Sequence, residues 1–338
     1  MIFFALALAL ANPNSMPSQL VQASADVADF QEDRRTRWQE MRAARRGGDA
    51  AGAGRRGGRG GRGDAAGQQQ LPPGSELIRY GSSADQRLHI WPAPASATTG
   101  GRRPPLAVYI HGGGWQHGTP EMVAEKPQWF AAHGWAFASV GYRLVPDATV
   151  EDEAADIGAA LRRLRTEAAR LGYDPDRILL MGHSAGAHLT ALVATDPTYA
   201  GNAFAAIRGA MPIDGACYDV PRQMQEGGNF MMQRTYVPAF GTDVARQRAL
   251  SPTTHAGGPD APAWLILFDS GRDDAVSQSG YLSDALRRGG VSVETQGIRF
   301  DDRNVLQRHR KMNVEFGTPG YAGNAVAEAL MRRVEDTR

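Results

Sequence analysis

Cysteine is nearly absent from this sequence: Cys217 is the only one. A lone thiol excludes an internal disulfide and any thiolate-held metal cluster, and leaves the redox compartment open. Net charge is missing too, because 37 basic and 36 acidic residues leave a formal +1. No overall field therefore draws the chain to nucleic acid or to a membrane surface. Lysine is almost unused, Lys126 and Lys311 being the only two, and this arginine bias reads as genomic composition rather than chemistry. Long apolar runs are lacking as well. Met1 to Ala11 is apolar but falls short of the roughly 20 residues that a membrane-spanning helix needs. It reads as a signal-peptide core followed by small residues near Ala9 and Ala11, or near Ala23, without the usual positive n-region. Residues 1–23 are thus expected to be a signal peptide and the protein periplasmic or secreted; a misplaced start codon and a cytoplasmic protein are the alternative.

At 338 residues and 42% hydrophobic content, the chain can bury a full core, and one α/β domain of about 250 to 300 residues would use most of it. Residues 24–74 are expected to be a linker. Gly47 to Gly67 is a Gly/Arg/Ala tract without apolar periodicity, and such a segment cannot offset its ordering entropy. Its Arg55 to Gly63 run is similar to arginine-glycine RNA-binding segments, yet no nucleic-acid partner is expected.

The catalytic domain is expected over residues 75–338. Leu77–Tyr80 and Arg87–Trp91 read as edge strands, and Leu106–Ile110 as a buried one. Strands and helices then alternate. Trp135–Val140, Ile178–Met181, Ala210–Ile213, Trp264–Phe268 and Val291–Thr295 read as strands. Glu151–Leu171, Ala185–Ala194, Gln278–Arg288 and Ala325–Val334 read as helices, the first with apolar residues at amphipathic spacing. Continuously apolar strands alternating with helices predict an α/β fold, a mostly parallel sheet covered on both faces. Residues 214–251 break the alternation and read as a small cap insertion, with Met224, Phe230, Met231, Met232, Tyr236 and Phe240 available to line a pocket.

The strongest local signal is Gly182-His183-Ser184-Ala185-Gly186, lying between a predicted strand and a predicted helix. A serine on that sharp turn is strained, and its flanking glycines avoid collision with neighbouring backbone. The hydroxyl is then exposed beside a helix N-terminus, which favours developing negative charge. Upstream, His111-Gly112-Gly113-Gly114 follows a strand and offers side-chain-free amides to an oxyanion. Gly113, Gly114 and Ala185 are the expected oxyanion hole, with Gly112 as the one-residue-shift alternative.

A serine hydroxyl needs a histidine to take its proton. The chain order for such a site is serine, acid, histidine, and His309 is the only histidine after Asp273. His188 and His255 are expected to pack, and His111 and His183 to serve loop structure. The acid is expected just beyond the Trp264–Phe268 strand. Asp273 is the first choice and Asp274 the alternative; Asp269 stands too near the strand end to reach the imidazole, and Asp301 and Asp302 read as solvated loop charges.

From about Leu106 to Val334 these motifs resemble the α/β-hydrolase superfamily, in the branch of hormone-sensitive-lipase-like carboxylesterases and kynurenine-formamidase-like enzymes. The resemblance is carried by His111-Gly112-Gly113-Gly114-Trp115, Tyr142-Arg143-Leu144, the Ser184 elbow through Leu189, the Asp273-Asp274-Ala275-Val276 turn, and His309 with Met312-Asn313 and Phe316-Gly317. One departure stands out: many relatives have His-Gly ahead of the acid, where this chain has Asp269-Ser270-Gly271. The resemblance implies hydrolysis of a small-molecule carboxylic ester, or of an N-formyl amide in the formamidase branch, without metal or organic cofactor. A rival from another class is a binding protein using the Arg/Gly tail; an intact triad argues against it.

Overall fold

A strand that is apolar at nearly every position belongs in the middle of a sheet covered on both faces. Leu106–Ile110, Ala136–Val140 and Ile178–His183 are such strands, and every residue in them is buried. In the computed structural model, which describes residues 71–98, 101–228 and 231–337, they lie side by side within an eight-stranded sheet. The strands are β1 Glu76–Arg79, β2 Arg87–Trp91, β3 Leu106–Ile110, β4 Ala136–Val140, β5 Ile178–His183, β6 Ile207–Ile213, β7 Ala263–Asp269 and β8 Ser292–Ile298. Their order is β1-β2-β4-β3-β5-β6-β7-β8. β1 and β2 pair antiparallel, as do β2 and β4; all pairs from β4 through β8 are parallel.

The longer helices are α1 Lys126–Ala132, α2 Val150–Leu171, α3 Ala185–Thr195, α4 Val220–Glu226, α5 Asp273–Arg288, α6 Val305–Val314 and α7 Asn324–Asp336. Side chains alternate along each strand, so Leu106, Val108 and Ile110 face one layer while Ala107 and Tyr109 face the other. α2, α3 and α5 cover the first face with residues such as Ile157, Leu161, Leu189 and Leu282. α1, α6 and α7 cover the second with Phe130, Met312, Leu330 and Val334. α2 starts at a reciprocal Thr149–Asp152 capping box and stops at Gly172 in the left-handed region, φ 79°. Its buried Ile157, Leu161 and Leu164 contribute about 1.5–3 kcal/mol each, and a charge at Leu161 would unseat the helix.

The expected α/β architecture is present, with three differences in its elements. Packing starts before residue 75: Leu71 lies against the second core layer, and the Trp91 indole N–H donates to Pro72 O at 3.1 Å. α1 and α6 are not expected from the sequence: α1 is only seven residues long and opens on Lys126-Pro127, and the apolar stripe of α6 is interrupted by Arg308, Arg310 and Lys311. α5 begins at Asp273, five residues ahead of the amphipathic stretch, with Asp273 and Asp274 in its first turn, where the helix dipole favours acidic side chains. The expected signal peptide and the Gly/Arg tract lie outside the described residues. Among the described residues, no helix is long and apolar enough to cross a membrane.

Candidate active site

Parallel strands bring their carboxyl ends to one edge, and here β3, β5, β6 and β7 deliver His111, Ser184, Asp214 and Asp269 to it. Ser184 sits between β5 and α3 at φ 57°, ψ −121°, a conformation that costs a non-glycine residue of order 1–3 kcal/mol. The turn is possible only because its neighbours lack side chains. A Cβ on Gly182 would lie 2.3 Å from Gly186 O, and one on Gly186 would lie 2.2 Å from Ile110 O. The Ser184 amide donates to Ile213 O at 3.0 Å, which fixes the serine against the end of β6.

The glycine loop after β3 is equally constrained. Gly113 has φ 135° and Gly114 φ 62°, and a Cβ on Gly113 would meet His117 O at 2.0 Å. A Cβ on Gly112 would stand 2.9 Å from Ser184 Cβ, so the loop passes directly beside the serine. Among the described residues, the Gly113 and Gly114 amides donate no main-chain hydrogen bond. Ala185 opens α3, where an amide has no intrahelical acceptor. His111 holds the loop from below. Its Nδ1–H donates to Gly112 O at 2.9 Å, its ring stacks on Tyr142 at 4.3 Å, and burial pushes its pKa down to about 4. The Tyr142 hydroxyl donates to His111 O at 2.7 Å.

His309 lies on α6. Asn304 caps that helix by accepting from the Leu306 and Gln307 amides. Neighbouring Arg308 anchors it to the end of β7, donating to Asp269 Oδ2 at 2.8 Å and Gly271 O at 2.7 Å, and also donates to Asp302 O, ahead of α6, at 2.8 Å. The imidazole thus rests against the ring of His183, the residue before Ser184, with centroids 4.5 Å apart. His183 donates from Nε2 to His309 O at 2.9 Å. Burial, then the neighbouring His309, keeps His183 well below the usual histidine pKa, so it is a neutral support.

The carboxylate against His309 is Asp214: Nδ1 and Asp214 Oδ2 are 2.6 Å apart. This corrects the expectation of Asp273. Asp273 is exposed at the start of α5, because the helix begins there and carries its side chain into solvent. Asp274 is engaged elsewhere, accepting from Arg272 Nε at 2.8 Å. Asp269 is paired with Arg308, and Asp302 with Lys311. Asp214 directly follows β6 at φ 48°, a backbone region that aspartate tolerates better than most residues. Its side chain has no solvent exposure. Burial alone would raise its pKa, but the Arg272 charge and the His309 hydrogen bond bring it down to about 2. Along the chain the three residues run Ser184, Asp214, His309, in the order expected for a serine, an acid and a histidine. Sequence reasoning had put Asp214 at the start of the cap; its signal was an acid immediately after a buried strand and before Gly215.

His188 and His255 stay away from this group. His188 donates from Nε2 to Leu250 O at 2.8 Å and His255 from Nε2 to Ala249 O at 2.9 Å. His188 also forms, with Trp115, Tyr236 and Phe240, an aromatic cluster with centroids 4.8–6.3 Å apart. Through it the 214–251 segment is fastened onto the glycine loop. Thr235 Cγ2 comes within 3.0 Å of a Cβ position at Gly114, and Gln116 donates to Arg234 O at 2.9 Å.

The BD-FAE family model matches residues 95–223. Esterase LipQ of Mycobacterium tuberculosis is 30% identical over 238 residues, 64% of this chain and 53% of its own length. Carboxylesterase NlhH of the same organism is 30% identical over 204 residues, 56% of this chain and 63% of its own length. The chain therefore spans about half to two thirds of these curated relatives. Among solved structures, esterase B of Lactobacillus rhamnosis superposes with a TM-score of 0.58 at 21% identity, over 94% of each chain. Apo Thermogutta terrifontis esterase 2 gives 0.57 at 22% identity, over 77% of this chain and 92% of its own. The fold is the α/β-hydrolase fold.

On this α/β-hydrolase sheet, His183, Asp214 and His309 bring potential metal-ligand atoms within 4.8 Å of one another. The Arg272 guanidinium fills the cation position, with Nη1 2.8 Å from Asp214 Oδ2 and 2.6 Å from His309 Nδ1. A metal ion would have to displace that buried cation, so the three residues fit a proton-transfer chain better than a metal centre.

Proposed function

We propose that this chain hydrolyses carboxylic esters of small or short-acyl substrates by acyl transfer through Ser184 to water. His309 Nε2 takes the hydroxyl proton as Ser184 Oγ attacks the ester carbonyl. The Gly113, Gly114 and Ala185 amides receive the oxyanion, and the imidazolium returns its proton to the leaving alkoxide. Water then attacks the acyl-serine by the same proton route and frees the acid. Asp214 holds Nδ1–H throughout, fixing the tautomer that presents a lone pair at Nε2. The observation that carries this reading is the 2.6 Å contact of His309 Nδ1 with buried Asp214 beside a serine at φ 57°. Likeness to LipQ and NlhH supports it, and Thr235 over Gly114 supports a small acyl group.

Ser184→Ala tests it. Turnover of an aryl acetate should fall by roughly 10⁴- to 10⁶-fold, and covalent labelling by a fluorophosphonate should vanish. Near-normal hydrolysis by a pure Ser184→Ala preparation sinks the reading. Faster turnover of a formylated arylamine than of the aryl ester would move the substrate class to N-formyl amides with the same residues.

A further inference from the structure

The loop between β7 and α5, where sequence reasoning sought the acid, delivers a cation. Arg272 keeps only 12% of its side chain exposed, and each guanidinium nitrogen is engaged. Nε donates to Asp274 Oδ1 at 2.8 Å. Nη1 donates to Asp214 Oδ2 at 2.8 Å and reaches Asp214 O at 3.3 Å, while Nη2 donates to Gly215 O at 3.2 Å. Nη1 also stands 2.6 Å from His309 Nδ1. The other carboxylate oxygen, Oδ1, accepts from the Asp269 amide at 3.0 Å.

We propose that Arg272 is a positioning residue that acts through Asp214, holding its carboxylate ionised and turned toward His309. The inference rests on the Ser184–His309–Asp214 reading above. A carboxylate without solvent exposure takes up a proton unless a cation or several donors oppose it. The Asp269 amide is one donor; Arg272 supplies the charge. Protonated Asp214 could no longer serve as the anionic acceptor for Nδ1–H, and the imidazole would be free to turn over. The guanidinium fork also grips the main chain of Asp214 and Gly215 together with the side chain, so it fixes the carboxylate's torsion as well as its charge. A lysine, with a single point charge, cannot reproduce that fork. Carboxylate and guanidinium both stand 2.6 Å from Nδ1. Arg272 thus acts on Asp214 by both charge and orientation.

A double-mutant cycle with Asp214→Asn separates action through Asp214 from general support of the fold. The readouts are kcat and KM on an aryl acetate, the fluorophosphonate labelling rate, and thermal melting of each variant. Arg272→Gln should lower kcat on the order of 10- to 100-fold, as loss of an orienting partner does elsewhere, with KM nearly unchanged. Arg272→Lys should recover part of that loss. In the Asp214→Asn background, Arg272→Gln should change kcat by less than about 2-fold, because the group it acts through is already gone. An unchanged kcat in folded Arg272→Gln overturns the proposal, and so does an equal fold-loss in both backgrounds. If Arg272→Gln melts below the assay temperature, Arg272→Lys carries the cycle, and additivity there overturns the proposal equally. Retained hydrolysis in Ser184→Ala would refute the underlying reading instead, which keeps the two failures distinct.

Discussion

Asp214→Asn and Asp273→Asn should separate by orders of magnitude. Asp214 Oδ2 accepts from His309 Nδ1 at 2.6 Å, the length of a strong, charge-assisted bond. An asparagine there presents either a weaker carbonyl acceptor or an NH2 group. The NH2 group would hold the opposite tautomer, leaving Nε2 protonated and unable to accept from Ser184. The equivalent change in a well-studied serine protease triad costs about 10⁴ in kcat with its geometry intact, close to 5 kcal/mol at 1.36 kcal/mol per decade. A loss of about 10³- to 10⁴-fold in aryl acetate turnover is expected for Asp214→Asn. Asp273 is exposed and is the first residue of α5, so Asp273→Asn should stay within about 2-fold of wild type, as exposed substitutions away from a site do.

A stability control belongs with this pair. Neutralising Asp214 leaves the buried Arg272 without its strongest partner, and removing one member of a buried ion pair typically costs about 3–5 kcal/mol. Asp214→Asn should therefore melt several degrees below wild type, and turnover must be read where both proteins remain folded. A loss of 100-fold or more in Asp273→Asn, with Asp214→Asn still active, would return the acid to the β7 loop and refute the assignment.

Gly186→Ala should abolish both labelling and turnover and lower the melting temperature, since its Cβ would lie 2.2 Å from Ile110 O and 2.5 Å from His111 O; a folded, active Gly186→Ala enzyme would show that the elbow is looser than described. Lys126, fully buried, donates to Asn313 O and Oδ1 at 2.7 Å each, and burial pushes its pKa from 10.5 down to about 7. Between these values the unfolded chain binds the proton and the folded one does not, so this group makes stability rise with pH across the window and has no further effect below about 7, where both states hold the proton. The slope it adds is about 1.4 kcal/mol per pH unit. Lys126→Met should remove that slope in urea unfolding measured from pH 7 to 9, and parallel curves for the two proteins would contradict the argument.

Ser184 and the glycine loop were legible in the sequence because each is held by constraints that must be local. Gly182, Gly186 and Gly113 have no room for a Cβ, so the chain writes the requirement as glycines at fixed offsets beside the serine. His309 was legible only by chain order, and its helix was not, because α6 buries just Arg308, Met312 and Asn313. The acid was illegible for a different reason. β6 and β7 are neighbours ending at one edge of the sheet, so Asp214 and the aspartates after β7 are all candidates on topology alone. The choice among them is made by two arginines: Arg308 takes Asp269, and Arg272 reaches across to Asp214 while its Nε takes Asp274. With those contacts made, Asp214 is the carboxylate that faces the imidazole, and Asp273 is left to the dipole of α5. The carboxylate that faces His309 in this chain is thus selected by the cations around it, which lie 58 and 39 residues away in sequence for the Arg272–Asp214 and Arg308–Asp269 pairs, beyond the reach of any motif centred on the aspartate itself.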